Sequence, residues 1–224
     1  HANFARRKKQ SKKEGKLRGI AVGSYLEVTA PPSGELGKIT FEPDGSVKLT
    51  TGTLDYGQGH ATPFAQVLSE QLGVPFEKIT LEQGDSDLVR FGNGTGGSRS
   101  ITATGQAIIE ASALVVAKGK QAAAHLMEAS EADIEFADGR FTIAGTDRSI
   151  GIMELAQRVR EGKLPEGAPE SLDVDHATKE TPSTFPNGCH VAEVEIDPET
   201  GVTRIVRYFA VNDFGTVVNP MIVA

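Results

Sequence analysis

The chain has 224 residues, 38% of them hydrophobic and 24% charged, an ordinary globular composition with enough apolar material for one large core or two small ones. Its one cysteine, Cys189, excludes an internal disulfide and suits a reducing cytoplasm, and its densest apolar run, "ASALVVA", is far shorter than a membrane span. The net charge of -7 hides an asymmetry: residues 1–18 carry eight Lys or Arg and one acid, leaving 15 basic against 29 acidic residues elsewhere.

That basic arm has no interleaved aromatics for stacking, and the acidic body would repel a phosphate backbone, so no nucleic-acid partner is expected. A solvated helix, or a segment covered by neighbouring chain, is the expectation instead. No hydrophobic stretch follows the arm, so no secretory signal is expected. The chain begins at His1 rather than Met and stops at "VNPMIVA" without a closing turn, so it reads as a piece of something longer.

Next in order, "GIAVGSYLEVTA" has strand composition. "GKITFEPDGSVKLTTGT" reads as a hairpin turning at Pro43-Asp44-Gly45, where Pro fixes φ and Gly supplies a positive one. A helix is predicted from Thr62, as N-cap, with Pro63 at N1, to about Leu72. Its stripe is Phe64, Val67, Leu68 and Leu72, and Gly73 ends it. "FEKITLEQ" is the next strand. A loop, "GDSDLVRFGNGTGGS", leads into a long helix from about Ser100 to Glu128, whose buried stripe is predicted as Ile101, Ile108, Ile109, Val116, Ala123 and Leu126. "DIEFADGRFTIAG" is a second hairpin, Ser149 caps a short helix through Val159, and "EGKLPEGAPESLD" is an exposed connection. A third hairpin turns around residues 198–201. Together these predict an α+β fold of mixed or antiparallel sheets, with hairpins packed against two or three helices. The expected organisation is a basic segment 1–17, an α+β subdomain 18–160, a connection 161–183, and a hairpin segment 184–224 that returns to an adjacent subdomain.

Two stretches could carry chemistry. "LDYGQGHATPF" puts two glycines and a flexible amide between a strand and a helix start, which suits either a tight turn or close approach of a ligand to the backbone. In "GNGTGGSRS", Gly92, Gly94 and Gly97 satisfy G-x-G-x-x-G. However, no strand runs directly into it, and the position of the required acid, about 20 residues on, lies inside a long helix. Ser98-Arg99 stands where a Walker A loop needs Lys-Ser/Thr. What survives is a glycine-rich loop opening a helix, equally an anion site with Ser98, Arg99 and Ser100 as donors or a simple helix start. Cys189 and His190 are strand neighbours that point to opposite faces, Cys189 is expected to be a buried thiol, and His125 sits alone in an alanine-rich helix. No G-x-S-x-G, H-E-x-x-H or paired-cysteine zinc pattern occurs, so no metal ligand is assigned.

Taken together, "TGTLDYGQGHATPFAQVLSEQLGVPFEKITLEQGDSD", "GTGGSRSITATGQAI" and "VAEVEIDPETGVTRIVRYFAVNDFGTVVNP" resemble the molybdenum-binding large subunit of the xanthine dehydrogenase/aldehyde oxidase family. The carbon-monoxide-dehydrogenase-like bacterial branch is the most similar, over the chain from about Arg18 onwards. The resemblance implies a molybdopterin cofactor, in the cytosine dinucleotide form, whose metal is held by the pterin dithiolene rather than by side chains. It implies cofactor contacts at Gln58, Gly59 and His60 and at Gly96, Gly97, Ser98, Arg99 and Ser100. The glycines would admit the ligand to the backbone, and the Gln58 amide would donate and accept. The implied parent enzyme hydroxylates a small aldehyde, N-heterocycle or related substrate with oxygen from water. Its implied partners are the remainder of the large subunit, an iron–sulfur subunit and an FAD subunit. The family's catalytic glutamate lies in a Gly-x-Gly-Glu segment downstream of Asn219-Pro220, so no catalytic residue is assigned here, Glu35 included. The alternatives are a natural split subunit or non-catalytic cofactor-binding module, and a nucleotide-binding protein using residues 92–100.

Overall fold

A computed structural model describes residues 3–30, 33–162, 164 and 167–223. Two units emerge from its contacts: His1–Thr29 with Thr184–Thr216, and Ala30–Ser183 with Val217–Ala224. Helices and strands mix as expected, with three small sheets and no closed barrel among the described residues.

In the first unit, helix α1 (Phe4–Lys13) packs on a three-stranded antiparallel sheet in the order β1 (Leu17–Leu26), β9 (Asn187–Ile196), β10 (Thr203–Asp213). The β9–β10 hairpin turns where predicted: Asp197 Oδ1 accepts from Glu199 N–H at 2.9 Å, and Gly201 takes a φ of 73°. The basic arm is a helix, but it is solvated on one side only. Arg6, Lys8, Lys9, Lys12 and Lys13 are exposed, whereas Arg7 and Ser11, one turn apart, face the sheet. Arg7 grips Glu193 through Nε (2.8 Å) and Nη2 (2.6 Å). Arg18 spans Glu193 (2.5 Å) and Glu195 (2.6 Å). Hydrogen bonds from Arg7 hold the Glu193 carboxyl down to about 2, and those from Arg18 do the same for Glu195. Cys189, expected to be buried, is only half-buried on β9.

The second unit is built on a sheet in the order β4 (Ile79–Glu82), β3 (Val47–Thr51), β2 (Leu36–Phe41), β8 (Val174–Ala177), antiparallel except for the β3–β4 pair. A helix, α2 (Ala61–Leu72), links β3 to β4, as a parallel crossover requires. A second, α3 (Ser100–Met127), also covers this sheet. A smaller sheet, β5 (Ile134–Ala137), β6 (Arg140–Ile143) and β7 (Ser149–Gly151), follows, with α4 (Ile152–Arg160) after it. Buried side chains from these elements form one core, among them Ile39, Leu49, Phe64, Leu68, Ile108, Val115, Phe141 and Leu155, with Ile79 and Leu81 of β4 partly buried against it. Residues 161–183, read as a connection, contribute buried Leu172 and edge strand β8; part of "EGKLPEGAPESLD" lies outside the described residues.

Three local expectations are corrected. First, α2 begins at Ala61, not after Thr62, and no cap side chain comes from its N-cap, His60; the Asp55 carboxylate satisfies the nearby amides instead. Second, Ser149 opens strand β7 rather than capping a helix, and Gly151 is the N-cap of α4. Third, Ile101 and Ile109 are 39% and 43% exposed, while the buried face of α3 runs through Ala103, Thr104, Ala107, Ile108, Ala111, Ser112, Val115, Gly119 and Ala123. That face is small because its neighbours come close: a Cβ on Gly37 would lie 2.6 Å from the Ala107 carbonyl oxygen, and one on Gly119 would lie 2.1 Å from the Phe141 ring. By length and composition α3 is apolar enough to cross a membrane, which the sequence reading did not expect of any segment; here its small-residue face lies in the core.

Candidate functional site

Strand β3 ends at Thr51, and the chain then makes a corner before α2. Asp55 organises it. Its carboxylate accepts from the amides of Gly57 (2.7 Å), Gly59 (3.3 Å) and His60 (2.7 Å), an Asx-type turn that holds the chain as it enters the helix. The Gly57 bond is the leading reason that the Asp55 carboxyl titrates below the usual range. Gly57 and Gly59 have φ of 112° and 77°, so their identity is set by the backbone alone. Gln58 is exposed at the tip; its Oε1 accepts from the Tyr56 amide, so its Nε2 is the donor left facing outwards. His60 turns the other way. It is 5% exposed, stacks on Phe64 at 4.8 Å, and lies 3.4 Å through Nδ1 from Gln83 Nε2.

Beneath the corner is a buried polar network that sequence reading missed. Gln83, just past β4, donates to Thr51 (2.8 Å) and Thr53 (2.9 Å), and Thr53 meets Thr104 of α3 at 3.3 Å. These bonds span 30 to 51 residues, so no local pattern reveals them.

The loop before α3 forms the second corner and lies against the first. Gly94 N–H donates to Gly52 O (3.3 Å), Leu54 N–H to Thr95 Oγ1 (3.3 Å), and Thr95 meets Ser100 at 3.1 Å. Gly97 and Ser98 are both left-handed, with φ of 58° and 57°. The expectation for Gly97 is revised: a Cβ there would sit 2.5 Å from the Ala30 Cβ, so its smallness is explained within the protein. A Cβ on Gly96, in contrast, would meet nothing within 4 Å, and this is the glycine beside open space.

Helix α3 starts without a side-chain cap; its first bond runs from Ala103 N–H to Arg99 O at 2.8 Å. The earlier amides and the positive end of the dipole are therefore left for an outside acceptor. Arg99 donates to Ser33 Oγ and Gly94 O, both at 3.1 Å, while its buried Nε has no acceptor among the described residues. Gln58, Gly59 and residues 96–100 thus belong to two touching corners, with His60 turned inwards beneath them. What they offer is an amide, two hydroxyls and a helix N-terminus, with the positive charge of the Arg99 guanidinium beside it. Such donors suit an anionic ligand rich in oxygen and nitrogen acceptors, a phosphorylated pterin included. Among the described residues no group of three His, Cys, Asp or Glu is placed to hold a metal. A hollow of about 700 Å³ at the far end of α3, lined by His125, Glu128 and Glu131 among others, touches neither corner.

A family model described as a molybdopterin cofactor-binding domain matches residues 1–224. The carbon monoxide dehydrogenase large chain of Hydrogenophaga pseudoflava is 36% identical, over 83% of this chain and 23% of its own length. The nicotine 6-hydroxylase large subunit of Paenarthrobacter nicotinovorans is 32% identical, over 98% of this chain and 29% of its own. Among solved structures, a Cu,Mo-CO dehydrogenase in its carbon-monoxide-reduced state superposes with a TM-score of 0.83 at 31% identity, covering 97% of this chain and 29% of that one. This chain therefore spans about a quarter to three tenths of the length of these relatives.

Proposed function

Because the chain belongs to the molybdopterin cofactor-binding domain family, we propose that its two corners hold part of a molybdopterin cofactor, in the cytosine dinucleotide form, within a larger molybdenum hydroxylase subunit. The observation that carries this reading is the meeting of the corners through the Gly94–Gly52 and Leu54–Thr95 hydrogen bonds, with donors left over on both. When bound, the group supplies the redox chemistry of a hydroxylation whose oxygen comes from water. The chain's own part is to bind and orient. Gln58 Nε2 donates at the first corner, while Gly96 leaves room for a ligand beside the α3 N-terminus. There Ser98, Ser100 and Arg99 receive the phosphates.

The parent enzyme on this reading acts on a small aldehyde, N-heterocycle or related molecule, alongside iron–sulfur and FAD subunits. Two features support a larger whole. Relatives are three to four times longer by the shares above, and the first unit's sheet exposes Val22, Leu26, Phe209 and Val211, between 57% and 75% each. The isolated chain should therefore turn over nothing.

The test is Gln58→Ala in the full-length subunit. Its side chain makes one bond, to the exposed Tyr56 amide, so the fold should be unaffected. Molybdenum content, measured by mass spectrometry, should drop by about 2- to 10-fold, the equivalent of one hydrogen bond to the cofactor. Full metal content together with unchanged turnover would refute the assignment.

A further inference from the structure

One carboxylate that this site does not use lies directly behind both corners. Glu35, immediately before β2, is 1% exposed. Its Oε1 accepts from its neighbour Leu36 N–H at 2.7 Å and from Gly52 N–H, in the first corner, at 2.8 Å. Its main chain is fixed on the other side by Thr178: Glu35 N–H donates to Thr178 Oγ1 at 2.8 Å, and Thr178 N–H to Glu35 O at 2.9 Å. A buried carboxylate is costly unless hydrogen-bonded, and an apolar residue would start a core strand more cheaply.

The surroundings show what it does. A Cβ on Gly52 would lie 2.4 Å from Glu35 Oε1, 2.3 Å from Phe91 O and 2.4 Å from Gly92 Cα. Carboxylate, first corner and second corner are thus stacked with no slack. From the neighbouring residues, a Cβ on Gly34 would sit 3.1 Å from the Phe91 ring, and Asn93 Nδ2 donates to Gly34 O at 3.4 Å. Arg99 closes the circuit by bonding Ser33 and Gly94 together. Burial pushes the Glu35 carboxyl above the usual range, opposed by its two amide donors and by the Arg99 guanidinium.

We propose that Glu35 is a positioning residue: by accepting the Gly52 amide it sets the register between the two corners, so that cofactor retention depends on a side chain that does not touch the cofactor. The inference rests on the cofactor reading above, and its test separates the two. Glu35→Met keeps the length and removes the acceptor; Glu35→Gln keeps an acceptor oxygen. In the full-length subunit with its partners, amide hydrogen exchange at Gly52 and Gly94 should quicken by about tenfold in Glu35→Met, with β2 and β3 protected as in the wild type. Molybdenum content should fall by about fivefold or more, and Glu35→Gln should restore both to within about twofold. Unchanged exchange in Glu35→Met overturns the proposal, as does a Glu35→Gln variant that loses metal as severely. If Glu35→Met does not fold, Glu35→Gln decides: wild-type exchange and metal support the acceptor role, and loss of either beyond about twofold overturns it. Exchange that responds as stated in a subunit whose Gln58→Ala variant keeps all its metal would leave the pin standing and remove the cofactor from these corners.

Discussion

Gly96 and Gly97 are adjacent glycines with opposite reasons to exist, and substituting each by alanine separates them. At Gly97 the left-handed φ of 58° costs a residue with a Cβ about 1–2 kcal/mol. The 2.5 Å approach of that Cβ to Ala30 adds overpacking of about 1–3 kcal/mol, and the strand-like bond from Ala30 N–H to Gly97 O leaves little room for relief. Gly97→Ala should therefore destabilise the fold by about 2–5 kcal/mol. With a urea slope of about 2 kcal/mol/M, the unfolding midpoint followed by circular dichroism should drop by about 1–2.5 M. At Gly96 neither penalty applies, since its φ is not left-handed and its Cβ direction is open. Gly96→Ala should stay within about 0.5 kcal/mol of the wild type yet retain less molybdenum in the full-length subunit. A Gly97→Ala midpoint indistinguishable from the wild type would refute the packing argument. A Gly96→Ala protein with full metal content would remove Gly96 from the ligand's path.

Asp55→Ala removes the acceptor of three corner amides and should cost about 1 kcal/mol by urea unfolding, with the loss localised to the start of α2; a change confined to noise would exclude Asp55 as the organiser. Since its folded pKa is depressed, its contribution is present above the ordinary value of 3.8 and disappears as pH falls through the lower folded value, so nitrogen-15 relaxation should show Gly57 and Gly59 loosening only in acid. The Glu193–Glu195 cluster follows the same sign: stabilisation of the first unit is complete above 4.5 and is lost as pH falls towards about 2. Tyr25 and Tyr208 report on that unit by near-ultraviolet dichroism, and Arg18→Ala should flatten their acid transition; an identical pH profile would show the Arg18 bonds to be idle.

What could be read from the sequence was whatever local backbone chemistry dictates. The end of α2 at Gly73, the start of α3 at Ser100 and the turn at 198–201 follow from left-handed glycines and helix periodicity, and each is found. On α3, Ile108 and Ala123 are buried as read, but Ile101 and Ile109 were misplaced in the stripe because hydrophobicity was taken as the signal, while packing against Gly37 and Phe141 selects for small volume. The start of α2 was misplaced because the corner before it is held by Asp55, which accepts the N-cap His60 amide from five residues upstream, and not by a capping hydroxyl of Thr62. In the site, the glycines were visible for their own conformational reasons. The groups that hold them were not: Glu35 reaches Gly52 across 17 residues, and Thr53 reaches Thr104 across 51. Such pairings are made by the fold and leave no periodicity to detect.

The two corners also differ in the charge they present, and this constrains how the proposed ligand sits. The amides of Gly57, Gly59 and His60 are taken up by Asp55, whose depressed pKa keeps it anionic, so the side-chain donors left to the ligand at the first corner are uncharged, the Gln58 amide among them. A phosphate brought to that side would meet a carboxylate within the same turn. At the second corner the first-turn amides of α3, the helix dipole and the Arg99 guanidinium all favour negative charge. An anionic, extended ligand shared by both corners therefore has one favourable orientation, with phosphates towards residues 96–100 and an uncharged hydrogen-bonding edge towards Gln58. Removing both charges by Asp55→Asn together with Arg99→Gln should weaken retention, measured as molybdenum content of the full-length subunit, more than Gln58→Ala, because it removes the orientation rather than one contact; an equal or smaller loss would refute the orientation.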